Sequence, residues 1–184
     1  MIPEPFEYHN PATLEAAWRT MQETGADGKV VAGGHSLIPM MKLRLASPKH
    51  LIDISAIEEL RNIREVEGRI EIGALVTHHA IESSGLLKTR CPLMPETAAE
   101  IGDVQVRNKG TIGGSLAHAD PAADWPAAIL ALEAEIGARS SRGSRWIKAA
   151  DYFVDLMTTA LAADEILTAV RVPVIEPYTG QAYV

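Results

Sequence analysis

The sequence predicts an α+β fold of two unequal lobes, a small α/β lobe and a larger lobe with mainly antiparallel strands. Over about residues 1–57, short apolar segments alternate with helical patterns, which is typical of a parallel βαβ unit. Beyond that point, segments in which apolar and polar residues alternate are joined by short polar turns, which is typical of antiparallel hairpins. We therefore place lobe one at about residues 1–57 and lobe two at about residues 58–177.

Lobe one is predicted to begin with a helix over about residues 11–23. Asn10 is a suitable N-cap, Pro11 suits the first helical position, and Leu14 and Trp18 fall on one face. The other elements predicted in this lobe are a strand at 29–32, a helix within 37–45 and a strand at 50–54.

Lobe two is predicted to consist of hairpins and short helices. Residues 63–72 alternate around Gly68, which predicts a hairpin, and Thr77 is placed to cap a short helix. Asp124 is predicted to cap a helix that runs through about Leu132. The other predicted elements are a helix at 92–101 and strands at 104–107, 135–139, 145–148 and 165–172.

Two Gly-Gly turns are the main candidates for a binding site. A glycine pair allows positive φ angles and lets an anionic ligand approach successive backbone N–H groups. Either turn alone has a simpler explanation as a structural turn, and neither matches the G-x-G-x-x-G or P-loop pattern. Two turns of one design predict a pyrophosphate held from two sides, and hence a dinucleotide. The turns are Val31-Ala32-Gly33-Gly34-His35-Ser36 and Thr111-Ile112-Gly113-Gly114-Ser115.

Other polar residues predict no catalytic or metal site. Asp124 is the best candidate to accept hydrogen bonds from sugar hydroxyls. His78 and His79 are adjacent and are expected to point to different faces, so they do not have metal-ligand spacing. Because no acid/base or nucleophile pattern is present, we expect a cofactor that performs the chemistry itself, as flavins do.

The bulk composition excludes several classes of protein. The 184-residue chain has a formal net charge of −7, which argues against binding to nucleic acid. No apolar stretch reaches the roughly 18–20 residues that span a bilayer, and the N-terminus lacks signal-peptide features, so we predict a cytoplasmic protein. The single cysteine, Cys91, excludes an all-Cys iron–sulfur cluster within the chain.

Three segments carry a resemblance to a known family. Residues 32–44, 111–115 and 120–124 resemble the FAD-binding medium subunit of the carbon monoxide dehydrogenase type, in the molybdenum hydroxylase group with xanthine dehydrogenase. The resemblance implies the FAD-binding PCMH-type fold, also called vanillyl-alcohol oxidase-like, with non-covalent FAD. It further implies that residues 178–184 begin a C-terminal domain that this chain lacks, and that the chain alone holds FAD weakly.

The resemblance also implies a set of cofactor-binding residues. The two glycine turns would surround the pyrophosphate, Asp124 would hold the nucleotide by hydrogen bonds, and Ile101 and Leu167 would pack near the cofactor. No catalytic and no metal-binding residue is implied. The full set is Val31, Ala32, Gly33, Gly34, His35, Ser36, Ile101, Thr111, Ile112, Gly113, Gly114, Ser115, Asp124 and Leu167.

The function implied by the resemblance is electron transfer within a larger enzyme. The partners would be a large subunit that carries the molybdenum cofactor and a small subunit with two [2Fe–2S] clusters, assembled as a dimer of heterotrimers. The external electron acceptor and the substrate are left open. Two alternatives also stay open, a stand-alone flavin-dependent oxidase of the same fold and a flavin-free interaction fragment.

Overall fold

The computed structural model describes residues 2–175 and 179–184, and it has the mixed α+β architecture that the sequence predicts. The strands are β1 (Glu7–His9), β2 (Gly28–Val31), β3 (His50–Asp53), β4 (Ile63–Val66), β5 (Arg69–Gly73), β6 (Glu135–Ser140), β7 (Gly143–Lys148), β8 (Phe153–Asp155), β9 (Thr158–Thr159) and β10 (Ile166–Pro173). The helices are α1 (Leu14–Thr24), α2 (Leu37–Lys42), α3 (His78–Ser83), α4 (Gly85–Arg90), α5 (Leu93–Glu100), α6 (Val104–Arg107), α7 (Ile112–His118), α8 (Asp124–Ala131) and α9 (Ala149–Tyr152).

A small parallel sheet lies near the N-terminus, with strand order β1-β3-β2. Strands β2 and β3 are the two predicted from the sequence, and α1 packs on them through Leu14 and Trp18, which are buried with Ile52. The predicted start of α1 is wrong. Thr13, rather than Asn10, caps the helix, since its hydroxyl accepts a hydrogen bond from the Ala16 N–H.

A larger antiparallel sheet has the strand order β4-β5-β10-β6-β7. The central strand β10 places Val170 opposite Ile72 on one side and Ile136 on the other. The main apolar core forms where the helices pack against this sheet, and it includes buried residues from α3 to α5 and from α7 to α9. Both predicted hairpins, β4–β5 and β6–β7, are confirmed, as is the long strand β10.

Two predictions near the second glycine turn are wrong. Residues 104–107 form the helical turn α6, because the Asp103 carboxylate accepts from the Val106 N–H and starts a helix there. Asp124 does not cap α8; it is the first residue of that helix, and Ala123 occupies the cap position.

The alternation of residues 104–107 is too short to distinguish a strand from a single helical turn. The sequence also missed the short elements β1, α4, α7, α9, β8 and β9. Because α7 begins at Ile112, Gly113 and Gly114 lie in the first turn of a helix and not in the turn that was predicted there. Residues 179–184 form no strand, and the predicted boundary between residues 177 and 178 lies outside the described residues. The division into lobes near residue 57 stays a prediction.

Candidate functional site: a cavity beside two glycine loops

The two glycine turns lie against each other in the fold. We call residues 31–36 the first loop and residues 109–115 the second loop. A Cβ atom added to Gly33 would collide with the carbonyl oxygen of Lys109 and lie 2.8 Å from the Cα of Gly110. Only glycine permits this approach, so Gly33 allows the backbones of the two loops to pack directly against each other. The predicted juxtaposition of the turns is therefore present.

The first loop presents unused backbone donors. Gly34 has φ +76, the left-handed conformation expected of a glycine turn. His35 Nδ1 donates to the Gly33 carbonyl at 2.9 Å, which fixes the bend. Within the described part of the chain, the N–H groups of residues 33–36 have no protein acceptor. Successive free N–H groups at a bend form a concave anion-binding surface.

The second loop differs, since the amides of residues 112–115 already have protein partners. The N–H of Ile112 donates to the Val76 carbonyl, and that of Gly113 donates to the Ala74 carbonyl. Gly114 donates to the Thr111 hydroxyl, the N-cap of α7, at 3.1 Å. Neither Gly113 nor Gly114 has a positive φ. The expectation that both turns offer several free amides through left-handed bends is therefore correct only for the first loop.

A cavity of about 500 Å³ opens beside the loops, within the usual size range of small-molecule sites. Five of the residues predicted from the sequence line it, namely Val31, Ala32, Gly33, Gly34 and Thr111.

Other residues of the cavity wall were not predicted from the sequence. Lys109 and Arg61 bring positive charge, and Tyr8 and Asp53 lie on the floor formed by β1 and β3. The Tyr8 hydroxyl donates to Asp53 Oδ2 at 2.6 Å, and this hydrogen bond raises the pKa of Tyr8. Asp53 is the last residue of β3, and the pairing that brings β1 beside it cannot be read from the local sequence.

The other predicted site residues lie outside the cavity wall. Leu167 is buried in the main core and Ile101 packs against that core. Asp124 accepts a hydrogen bond from the Tyr183 hydroxyl at 2.8 Å. Their roles in cofactor binding stay predictions, as do those of His35, Ser36, Ile112, Gly113, Gly114 and Ser115.

The side chain of His78 packs against the second loop at Gly110. His78 is 4% exposed, and its backbone N–H donates to the Gly110 carbonyl. Trp125 Nε1 donates to His78 Nδ1 at 3.1 Å, so the remaining ring proton sits on Nε2, which faces Gly110. Burial, with a smaller electrostatic contribution from His35, lowers the pKa of His78 to about 4. The neutral ring is thus part of the packing under this loop. The neighbouring His79 is exposed, so the two side chains point to different faces, as predicted.

Comparison with known families identifies the class of domain to which this arrangement belongs. Residues 4–175 match the model of the FAD binding domain in molybdopterin dehydrogenase. The chain therefore belongs to this family of FAD-binding domains, as the resemblance had implied.

Named relatives agree with this assignment. The chain is 45% identical over 183 residues to the carbon monoxide dehydrogenase medium chain of Hydrogenophaga pseudoflava, covering 100% of this chain and 64% of that protein. It is 41% identical over 178 residues to the glyceraldehyde dehydrogenase medium chain of Sulfolobus acidocaldarius, covering 97% and 63%. The chain thus spans less than two thirds of the length of these curated relatives.

Solved structures agree in fold. The structure of carbon monoxide dehydrogenase from Hydrogenophaga pseudoflava matches with a TM-score of 0.94 and 45% identity, over 96% of this chain and 62% of that one. Quinoline 2-oxidoreductase from Pseudomonas putida 86 matches with a TM-score of 0.92 and 34% identity, over 95% and 61%. None of the helices that the structure describes is long and apolar enough to cross a membrane.

Proposed function

We propose that this chain binds FAD non-covalently in the cavity between the two loops, with the pyrophosphate at the first loop. The observation that carries this proposal is the row of N–H groups at residues 33–36, which lack protein acceptors within the described residues. The first two residues of this row, Gly33 and Gly34, line a 500 Å³ cavity. Anionic phosphate oxygens are suitable acceptors for such a row, and they gain strength from charge-assisted hydrogen bonds. The family to which the chain belongs supports FAD as the dinucleotide.

The two loops have different roles in this proposal. The first loop binds phosphate through its amides, and the second contributes the cation of Lys109 and the hydroxyl of Thr111, which both line the cavity. Arg61 adds a second positive charge at the cavity wall. In a chain of net charge −7, such local cations are needed to offset the charge of a pyrophosphate.

Carboxylates serve the sugar portions of the ligand. Asp53 lines the cavity and accepts from Tyr8, so its oxygens are suitable acceptors for ribose or ribityl hydroxyls. Asp124 is the second such acceptor, and there a ligand hydroxyl replaces the Tyr183 hydroxyl that it now binds. FAD, when bound, supplies the redox chemistry itself, which agrees with the lack of an acid/base constellation in the sequence.

We further propose that the complete protein is the electron-transfer subunit of a molybdenum hydroxylase. It takes electrons from the [2Fe–2S] clusters of a small partner subunit and passes them to an external acceptor, while a large subunit carries molybdenum. The names of the relatives support this proposal. The chain's single cysteine also supports it, since Cys91 is buried and burial raises the pKa of its thiol to about 11, so this chain supplies no cluster ligands.

The proposal predicts that the chain binds FAD more tightly than FMN. FMN lacks the pyrophosphate and the adenosine, so titration of flavin fluorescence should give a dissociation constant at least about tenfold higher for FMN, a difference of about 1.4 kcal/mol. Lys109→Ala should weaken FAD binding several-fold, and the loss should diminish at high salt. Lys88→Ala, which removes an exposed cation from α4, is the matched control.

Two results would contradict the proposal. Equal affinity for FAD and FMN would show that the pyrophosphate is not recognised. Equal effects of Lys109→Ala and Lys88→Ala would show that the cavity is not the binding site. The subunit role is tested separately, by purifying the protein from its source and measuring iron and molybdenum in the same complex.

A further inference from the structure

We propose that Glu7, His9 and His50 form a binding site for a divalent transition-metal ion such as Zn²⁺. One potential ligand atom from each side chain lies within 4.8 Å of the other two. The sequence analysis predicted no metal site, because these residues have no ligand spacing along the chain. Glu7 and His9 come from β1, while His50 is 41 residues further on, in β3.

The strand pairing brings the three side chains together. Strand β1 runs parallel to β3, with Glu7 opposite His50 and His9 opposite Ile52. Because side chains alternate between faces, Glu7 and His9 share one face of the small sheet with His50. Tyr8 and Asp53 point to the other face, which lines the cofactor cavity. The proposed metal site is therefore separate from the flavin site and lies across the sheet from it.

Two of the three distances between the ligand atoms fit a tetrahedral ion, and the third is no longer than 4.8 Å. His9 Nε2 lies 3.2 Å from His50 Nδ1, and Glu7 Oε2 lies 3.4 Å from the same nitrogen. Bonds of about 2.0–2.1 Å around tetrahedral zinc place neighbouring ligand atoms about 3.3 Å apart. In the free chain His50 Nδ1 lies close to both other side chains, and a metal ion replaces these two contacts.

The chemical type of the three ligand atoms indicates which class of metal ion the site would bind. Two imidazole nitrogens and one carboxylate favour Zn²⁺ and neighbouring transition metals, whereas Mg²⁺ and Ca²⁺ prefer oxygen ligands alone. The Glu7 side chain is 74% exposed and that of His50 is 26% exposed, so water can complete the coordination. The ion would join the edge strand β1 to the central strand β3 of the small sheet.

The test is calorimetric titration of the full 184-residue chain with Zn²⁺, after treatment with a chelator, in parallel with Mg²⁺. We expect one Zn²⁺ ion per chain at this site and no comparable binding of Mg²⁺. Glu7→Gln and His9→Gln should each weaken Zn²⁺ binding at least about tenfold, since each removes one ligand. His79→Gln is the matched control, because exposed His79 pairs with Glu82 but belongs to no three-ligand group among the described residues.

Hydrogen exchange supplies a second readout that does not depend on any variant. Zn²⁺ should slow exchange of the Glu7 amide, which donates to the Lys49 carbonyl, because the ion fastens β1 to β3. Three results would overturn the proposal: no binding of Zn²⁺, equal affinity in wild type and His9→Gln, or an equal loss in His79→Gln. Unchanged exchange at Glu7 in the presence of bound Zn²⁺ would also place the ion elsewhere.

Discussion

The two glycine loops look alike in sequence but differ in what their backbones do. In the first loop, Gly34 is left-handed and the N–H groups of residues 33–36 have no acceptor within the described chain. In the second, the amides of Ile112 and Gly113 donate to the carbonyls of Val76 and Ala74, just beyond the end of β5. The first loop is therefore equipped to bind an anion, and the backbone of the second is committed to the fold.

The two loops show that a Gly-Gly pair can be required for two physical reasons. A glycine is needed where φ is positive, and it is also needed where two backbones approach more closely than a Cβ atom allows. Gly34 illustrates the first reason, and Gly33 and Gly113 illustrate the second. The substitutions below separate these reasons, from the largest expected effect to the smallest.

Gly113→Ala should cause the largest loss of stability. Its new Cβ would lie 2.6 Å from the Cβ and 2.7 Å from the carbonyl oxygen of Ala74, in a fully packed region. Because backbone must move to relieve this contact, we expect a loss of more than about 3 kcal/mol in the free energy of unfolding, measured by urea denaturation. Gly85→Ala, at a helical glycine with open space around it, is the control and should change little. Equal losses of stability in Gly113→Ala and Gly85→Ala would contradict a packing role for Gly113.

The pH dependence of stability should reveal the neutral His78 under the second loop. Its pKa is about 4 in the folded chain, against an ordinary value of 6.5, so the unfolded chain takes up this proton first. The contribution of His78 to the free energy of unfolding is fully present above about pH 6.5. It falls by about 3 kcal/mol as the pH drops toward 4.

The measurement for His78 is the difference between wild type and His78→Asn, which keeps an acceptor for Trp125 without an ionisable ring. The difference removes the contribution of carboxylates such as Glu71, whose pKa is lowered by Arg64 and Arg171 despite its burial. The wild type should lose more stability than the variant between pH 6.5 and 4. Parallel curves would mean that the ring is not buried in its neutral form.

Gly34→Ala should have a smaller effect that reaches the ligand. An alanine at φ +76 costs about 1 kcal/mol, and relaxation of the loop would misalign its amides. We expect FAD affinity to fall about fivefold, in proportion to that energy. Gly68→Ala is the matched control, since Gly68 has φ +74 in the distant β4–β5 turn, with open space around it. Gly68→Ala should lose a similar amount of stability but keep its full affinity for FAD. If both variants lost affinity, the first loop could not be assigned as the FAD-binding loop.

The regular parts of the fold were predictable because their signals are local. The period-two alternation around Gly68 and the apolar content of β10 determined those strands correctly. At residues 104–107 a similar alternation was misleading, since the Asp103 cap decided in favour of a helical turn. Short elements of this kind depend on caps and tertiary contacts more than on periodicity.

The candidate site was predictable only in part. The glycines of the first loop could be picked out because a Gly-Gly pair marks a sharp bend, whereas Arg61 and Asp53 were missed because nothing near them in sequence marks a cavity wall. The cluster of Glu7 and His50 was missed for the same reason, since only the pairing of β1 with β3 brings these residues together. Contacts between distant segments are the information that local patterns lack.

Amide hydrogen exchange, followed by NMR with and without FAD, tests the contrast between the loops most directly. The amides of residues 33–36 should exchange rapidly in the free chain and become protected when FAD binds. Those of Ile112 and Gly113 should be protected in both states, because they donate to Val76 and Ala74 throughout. The account would be contradicted if residues 33–36 stayed unprotected with FAD bound while Ile112 and Gly113 gained their protection from the ligand.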